Sequence, residues 1–492
     1  MIDLPIRKAG NALIWQSVKM GGVKVIYLVR TLILARLLLP DDFGLIAIAI
    51  TATGFLFNIT NLGMAPALVQ GENMDDTHYD SAWTLDLMRS FLLFIITVAA
   101  APLIAQIFAE PRAVPIIQVL AIRPFIEAMT SIKVVALNRN LTFRPLAVLR
   151  IIEAVVNTVL AIIFAKEWGA WALVVGAIGG TISIVVVSYL LAPYRPRLII
   201  TRETIKPLIN FGRWIFAANL VALLGNSILR VLISRQYGAA GLGIYFMASQ
   251  LAFLPGDVAG EAVGAVAFPL FARLQNEVSQ AIRVFRAIFS GLAAVLYPVC
   301  ASIVVLAPSL TKEILGPNWV GTEDIIRILA LVVMFGIFGD VAVSVFKGLG
   351  QPYIIVVLEI TQSTVTISLV WLLTQRFGLV GAALAWLPAI ILSQGLCVYY
   401  LKKILDHPFQ GLHKPFFAIF LATCLCVAIA AGINSLIPGI VGFSSAVILG
   451  LLCTGLSLWM ADRRYHLGFV HNLASAFPQV ATFVGFPPIE KR

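Results

Sequence analysis

The chain has 492 residues, 60% of them hydrophobic and only 12% charged, and its mean hydropathy is +0.96. A soluble globular domain is excluded, because apolar runs long enough to cross a bilayer recur from end to end. The net charge of +11 would suit a nucleic-acid partner, but most of the cations fall in short loops on one side of the membrane, so none is expected.

The predicted fold is all-α and integral to the membrane, with about fourteen transmembrane helices. The start, MIDLPIRKAG, shows no signal-peptide cleavage pattern. The first span covers 12–38 and turns at Pro40-Asp41-Asp42 into the second at 43–69. After the polar GENMDDTHYD come spans at 81–108, 114–137, 145–165 and 169–192. The stretch PYRPRLIITRETIK then breaks the chain into two sets of six spans. Spans follow at 208–234 and 240–270, then the half-amphipathic ARLQNEVSQAIRVFR, then 287–308, 325–346, 352–375 and 379–401. Two more, 415–436 and 438–461, precede the tail. The expected organisation is an N-terminal lobe at 1–193, a linker at 194–206, a second lobe at 207–404, two additional helices within 405–461 and a tail at 462–492.

Outside the spans, the odd-numbered loops hold only Arg112, Lys166, Arg235, Lys312 and Arg376, whereas the N-terminus, even-numbered loops and tail hold the rest. Both termini are therefore expected in the cytoplasm. A shift of 199 residues aligns Trp15 with Trp214, Arg36 with Arg235, Gly44 with Gly243 and Ala49 with Ala248. Six spans between copies give both the same orientation: a parallel repeat, the kind of duplication transporters use to rock two lobes about a cavity. The cysteines (Cys300, Cys397, Cys424, Cys426, Cys453) all fall in spans and read as packing residues, and the histidines lack ligand spacing, so no metal is expected.

The first span is unusual. It carries Lys19, Lys24, Arg30 and Arg36, and each cation at mid-bilayer costs roughly 2.5–3.5 kcal/mol. Gln16, Lys19, Tyr27 and Arg30 share one side of a helix, a stripe that requires water, a partner helix or an anion.

At LILARLLLPDDFGLIAIA, followed by NLGMAPALVQ, the chain resembles the bacterial polysaccharide exporters of the multidrug/oligosaccharidyl-lipid/polysaccharide (MOP) superfamily. More narrowly it resembles the Wzx-type lipid-linked oligosaccharide flippases and their colanic-acid-exporter-like branch. The motif is Ala35-Arg36-Leu37-Leu38 followed by the Pro40-to-Gly44 turn, and the likeness extends to the span count, the central break and the two extra C-terminal spans. The resemblance implies a two-lobe, V-shaped bundle with a cavity opening alternately to each side. It implies as cargo an undecaprenyl-diphosphate-linked oligosaccharide, moved from the cytoplasmic to the periplasmic leaflet of the inner membrane for surface polysaccharide synthesis. Expected partners are that lipid, the membrane and polysaccharide polymerase machinery, with the chain acting as a monomer. No P-loop of the form GxxxxGK[ST] occurs, so direct use of ATP is not expected.

A diphosphate with a polar glycan needs a cationic, wet cleft within the bilayer, and Arg and Lys are its natural donors. The first lobe has a surplus of in-span cations and the second is slightly acidic. Lys19, Lys24 and Arg30 lack a same-helix acid at i±3 or i±4 and are candidate headgroup ligands, Lys24 lying off the stripe of the other two. Arg123 is a further candidate, or is neutralised by Glu127 at i+4; Arg150 with Glu153 and Asp86 with Arg89 read as i, i+3 pairs. Lys133 and Arg213 read as snorkelling to the interface, and Trp15 and Trp214 either stack on sugars or anchor at the interface. Asn219, Asn226 and Arg230 share a face of the seventh span and read either as the second lobe's contribution to the cleft or as interhelical hydrogen bonders. Asp257 and Glu261 at i, i+4, together with Asp340 and Glu359, could couple transport to H+ or Na+, or pair with cations on other helices. No other cofactor and no catalysis are expected. The competing readings are an organic-cation antiporter of the same superfamily, which the basic first lobe disfavours, a peptidoglycan-precursor flippase, and a membrane polymerase or ligase, which would need a longer periplasmic loop.

Overall fold

The computed structural model describes residues 6–60, 76–139, 142–198, 213–437 and 439–465. The predicted tail beyond 465, the segment 61–75 and most of the linker, 199–206, lie outside the described residues, as do the side chains of Arg213 and Trp214. What is described is helix and turn, with no strand among the described residues. The helices are α1 (Ile6–Leu37), α2 (Pro40–Ile59), α3 (Asp76–Ile107), α4 (Ala113–Leu120), α5 (Ile122–Ala128), α6 (Val134–Arg139), α7 (Phe143–Trp168) and α8 (Ala170–Leu191). They continue as α9 (Arg213–Arg273), α10 (Val278–Ser309), α11 (Thr322–Gly348), α12 (Tyr353–Phe377), α13 (Leu379–Leu384), α14 (Trp386–Ile404), α15 (His413–Leu436) and α16 (Ile440–Tyr465).

Among the described residues, 10 helices are long and apolar enough to cross a membrane. The chain is thus a multi-pass membrane protein, and the difference from the predicted spans has four sources. The first helix, α1, carries too many charges to count as apolar. The predicted fourth span breaks into α4, α5 and α6: Pro124 lacks the N–H that would carry the helix across the α4–α5 junction, and the chain turns again at 129–133 before α6. The seventh and eighth spans are two helices that meet without a loop and are counted together as α9; they join at a kink at Gly238 (φ 67, ψ −172), between the two predicted spans, in a backbone region that only glycine occupies without strain. The last, α16 (Ile440–Tyr465), matches the predicted span, and Val441–Leu456 is the apolar part of it whose side chains are described.

Contacts divide the chain into two units. The first holds Met1–Arg213 and Arg230–Phe246; the second holds Trp214–Leu229 and Met247–Arg492. The segment 230–246, within the predicted second lobe, therefore packs with the first unit.

In the first unit α1 lies along α7, and α7 along α8. The α7–α8 approach is set by Gly176 and Gly180. A Cβ at Gly176 would stand 2.7 Å from the Asn157 carbonyl oxygen, and one at Gly180 would stand 3.1 Å from that of Glu153. Small residues four apart let two membrane helices meet backbone to backbone. The α2 N-terminus is tied down by Asp42, whose carboxylate accepts the Leu39 N–H (3.0 Å) and the Ala170 N–H (2.9 Å).

A second close approach joins the Pro40–Gly44 turn to segment 230–246. A Cβ at Gly44 would lie 1.8 Å from the Ala239 carbonyl oxygen, and one at Gly243 would lie 1.7 Å from that of Pro40. Beside them Ser234 donates to the Phe108 carbonyl (2.8 Å). Arg112 bridges Asp41 (2.8 and 3.0 Å) and Glu110 (2.6 and 2.9 Å), and Glu110 also accepts the Ala239 N–H. The first linker residues run back over α3, with Tyr194 donating to Asp80 and Thr84 to the Arg197 carbonyl (3.2 Å).

The second unit has a phenylalanine-rich core of Phe271, Phe285, Phe289, Phe338 and Phe346. Phe285 and Phe338 meet edge to face, with centroids 6.0 Å apart at 89°.

Candidate functional site

Tyr27 and Arg30 project from one stripe of α1 onto α7. Arg30 Nη1 donates to Asn157 Oδ1 at 2.6 Å, and the guanidinium lies 4.9 Å from the Tyr27 ring centroid. Tyr27 in turn donates to Glu153 Oε1 at 2.6 Å. Glu153 and Asn157, one turn apart on α7, are 4% and 3% exposed. The Arg30 Nε–H is buried with no acceptor within reach among the described residues. Arg123, on α5, donates from Nε to Thr181 Oγ1 on α8 (3.1 Å) and lies within electrostatic reach of Tyr27 and Arg30. Two guanidinium groups thus converge beside a single buried carboxylate. A guanidinium fixed by stacking and one carboxamide keeps donors for a further oxygen acceptor, as phosphate recognition requires.

The other members of the predicted set fall as follows. Lys19 lies 6.0 Å over the Phe143 ring and Arg144 5.6 Å over Trp15, toward the N-terminal end of α1; Lys24 is half-buried. Two same-helix pairings give way to contacts between helices: Arg123 turns to Thr181 rather than Glu127, and Arg150 approaches Glu127 (3.8 Å) while Glu153 takes Tyr27. Asp86 and Arg89 do pair, at 2.6 Å. Arg230 separates from Asn219 and Asn226. Its Nη1 donates to Thr51 on α2 at 2.8 Å, inside the first unit, whereas both asparagines are exposed in the second. A shared helix face was no guide there, because the contact units change at Arg230.

Sequence reasoning missed Glu153, Asn157 and Thr181 as site residues. The available signal was a polar i, i+4 pair in an apolar helix facing a glycine pair four apart.

In the second unit, Asp340 on α11 has Asp257 (α9) and Glu359 (α12) as like-charged neighbours, while Glu261 is exposed one turn beyond Asp257. Glu359 and Asn226 line a cavity of about 20 Å³ with Gln362, Ser363, Thr366 and Trp386. That is room for one water-sized occupant. Gly225 lets α9 approach Ser363 closely beside it, and Thr366, 4% exposed, has a hydroxyl without a hydrogen-bond partner among the described residues. Among the described residues no cluster of His, Cys, Asp and Glu could hold a transition metal.

This architecture is that of known membrane transporters. The lipid II flippase MurJ in an inward closed conformation superposes with a TM-score of 0.73 over 92% of this chain and 99% of its own, at 14% identity. An inward-facing multidrug resistance MATE family transporter of the MOP superfamily gives 0.58 over 80% of this chain and 98% of its own, at 17% identity. The fold is therefore that of the MOP transporters.

Within that fold the chain belongs to the polysaccharide biosynthesis protein family, whose pattern matches residues 33–324. Teichuronic acid biosynthesis protein TuaB of Bacillus subtilis (strain 168) is 25% identical over 85% of this chain and 88% of its own. Succinoglycan biosynthesis transport protein ExoT of Rhizobium meliloti (strain 1021) is 25% identical over 68% of each. Lipopolysaccharide biosynthesis protein WzxC of Escherichia coli (strain K12) is 20% identical over 79% of this chain and 80% of its own. Relatives and structural neighbours alike are named as transporters, flippases or biosynthesis proteins rather than by a catalytic activity.

Proposed function

We propose that the protein is a flippase for an undecaprenyl-diphosphate-linked oligosaccharide, carrying it from the cytoplasmic to the periplasmic leaflet of the bacterial inner membrane during surface polysaccharide synthesis. The observation that carries this reading is Arg30, held by the Tyr27 ring and Asn157 with Nε unengaged, beside Arg123. An organic-cation antiporter has no use for two converging guanidinium groups, since they would repel its substrate. The relatives' names, two of which include biosynthesis of a named polysaccharide, agree with such cargo. The distribution of Lys and Arg supports cytoplasmic termini. Alternating access between the two units would expose the headgroup site to each leaflet in turn. The Asp257–Asp340–Glu359 group and the small polar cavity beside Glu359 are the elements suited to coupling with H+ or Na+.

The test is transbilayer movement of a fluorescent undecaprenyl-diphosphate oligosaccharide in proteoliposomes. Wild type should move it, and Arg30→Ala/Arg123→Ala should not while still inserting. Efflux of an organic cation with no lipid movement would refute the flippase and favour the antiporter.

A further inference from the structure

The Arg30–Arg123 site contains its own competing anion. Glu153 is 4% exposed, and its carboxylate is engaged by the Tyr27 hydroxyl at 2.6 Å rather than by either guanidinium. Arg30 spends its hydrogen bond on the neutral Asn157, and Arg123 on the neutral Thr181. Yet Arg30 and Glu153 are within electrostatic reach of one another, and Arg30 and Arg123 likewise. Tyr27 accounts for the arrangement: its ring carries Arg30 and its hydroxyl holds Glu153, so one side chain keeps cation and anion near but apart. Two part-buried guanidinium groups without a counter-charge would repel each other and would release an anion slowly; a direct ion pair with Glu153 would close the site to an anion altogether.

We propose that Glu153 is the built-in counter-charge of the headgroup site, held off Arg30 by Tyr27, and that it tunes the affinity for a polyprenyl diphosphate downward so that the lipid can leave. The inference rests on Arg30 and Arg123 receiving the diphosphate. It makes Glu153 and Tyr27 positioning residues with opposite effects. Removing the Glu153 charge without changing its shape relieves its repulsion of the bound diphosphate. Removing the Tyr27 hydroxyl frees the carboxylate to turn onto Arg30 and compete with the diphosphate.

The experiment is farnesyl diphosphate binding to the full-length, detergent-purified chain by calorimetry, paired with flipping rates of the fluorescent lipid in proteoliposomes. Glu153→Gln should bind about tenfold more tightly, the scale of one unit-charge repulsion across such a site, and should lower KM and kcat together. Tyr27→Phe should bind more weakly, and Glu153→Asp should restore wild-type affinity. Loss of a merely structural hydrogen bond would weaken binding in Glu153→Gln and Tyr27→Phe alike, and that result overturns the proposal. Farnesyl diphosphate binding by wild type with unaltered affinity in Glu153→Gln also overturns it, leaving the flippase reading intact. No binding by wild type removes the diphosphate reading and this inference with it.

Discussion

Gly44 and Gly243 each lie against the backbone of the other's turn, Gly44 on the Ala239 carbonyl and Gly243 on the Pro40 carbonyl. Both pairs are related by the same shift of 199 residues, so residue i meets the equivalent of residue j and j meets the equivalent of i. Reciprocity of this kind is what a two-fold relation imposes on an isologous contact, and here a duplicated helix hairpin supplies it within one chain. The contact depends on bare backbone at both positions.

A Cβ at Gly44 should therefore cost about 1–3 kcal/mol of stability through overpacking. Thermal midpoints of Gly44→Ala and Gly243→Ala in detergent should both fall. Gly21→Ala, at a position with nothing within 4 Å, serves as the control and should not fall. Equal midpoints for Gly44→Ala and Gly21→Ala would remove the close approach from the account.

The same contact should carry a pH signature. Bonds from Arg112 and the Ala239 N–H hold the Glu110 carboxyl below the usual carboxylate range, and Glu110 lies in the turn after α3, outside the spans. A depressed pKa in the folded state gives stability that is present above the ordinary glutamate value of about 4.3 and is lost as pH falls through the lower folded value. The midpoint difference between wild type and Glu110→Gln should be constant from pH 7 to about pH 5 and shrink below it. A difference that grew on acidification would have the wrong sign.

Arg30→Lys should be nearly as damaging as Arg30→Ala. A lysine retains the charge but loses the planar stack on Tyr27 and the fork that engages Asn157 while leaving donors over. Lipid flipping should drop about tenfold or more, since one lost charge-assisted hydrogen bond is worth about 1.5–3 kcal/mol. Retention of wild-type rates in Arg30→Lys would mean that charge alone matters at that position.

Gly180→Ala tests whether the α7–α8 approach sets the site. Its Cβ would stand 3.0 Å from Asn157 Cβ and 3.1 Å from the Glu153 carbonyl oxygen, so α7 must give by a few tenths of an ångström. Flipping should fall by more than Gly21→Ala produces, with the thermal midpoint moved by only about 2–4 °C. Unchanged flipping would show that the site tolerates displacement of α7.

Thr366→Val addresses the small cavity of the second unit. The hydroxyl has no hydrogen-bond partner among the described residues, so its loss should leave the thermal midpoint almost unchanged. Dependence of flipping on an imposed H+ or Na+ gradient should weaken. A variant with wild-type gradient dependence would exclude this cavity as the coupling site.

Class and family were legible in the sequence because both rest on local signals: apolar run length, loop charge and the Pro40-to-Gly44 turn. So was the α1 stripe, since Tyr27 and Arg30 are neighbours on one helix. Glu153 was read as the partner of Arg150 because sequence shows i, i+3 spacing and nothing of the helix opposite; the structure gives it to Tyr27, 126 positions away. For Arg230 the sequence left open a cleft role or an interhelical hydrogen bond; its bond to Thr51 is of the second kind, and helical periodicity cannot name such a partner. The first break in the fourth span was hidden because hydropathy counts side chains and not the backbone donor that Pro124 lacks.

That break has a mechanical consequence. Arg123 rides on a rod of 7 residues with a discontinuity at each end, fastened beyond it by Ser131 and Tyr189 to α8. Arg30 stands on a helix of 32 residues packed along α7. α5 is also packed between α3 and α8, with Phe125 against Phe91 and Phe94, so Arg123 moves only as its short segment moves. Under the proposed function the headgroup would therefore have one ligand on a long helix and the other on a short segment bounded by two breaks.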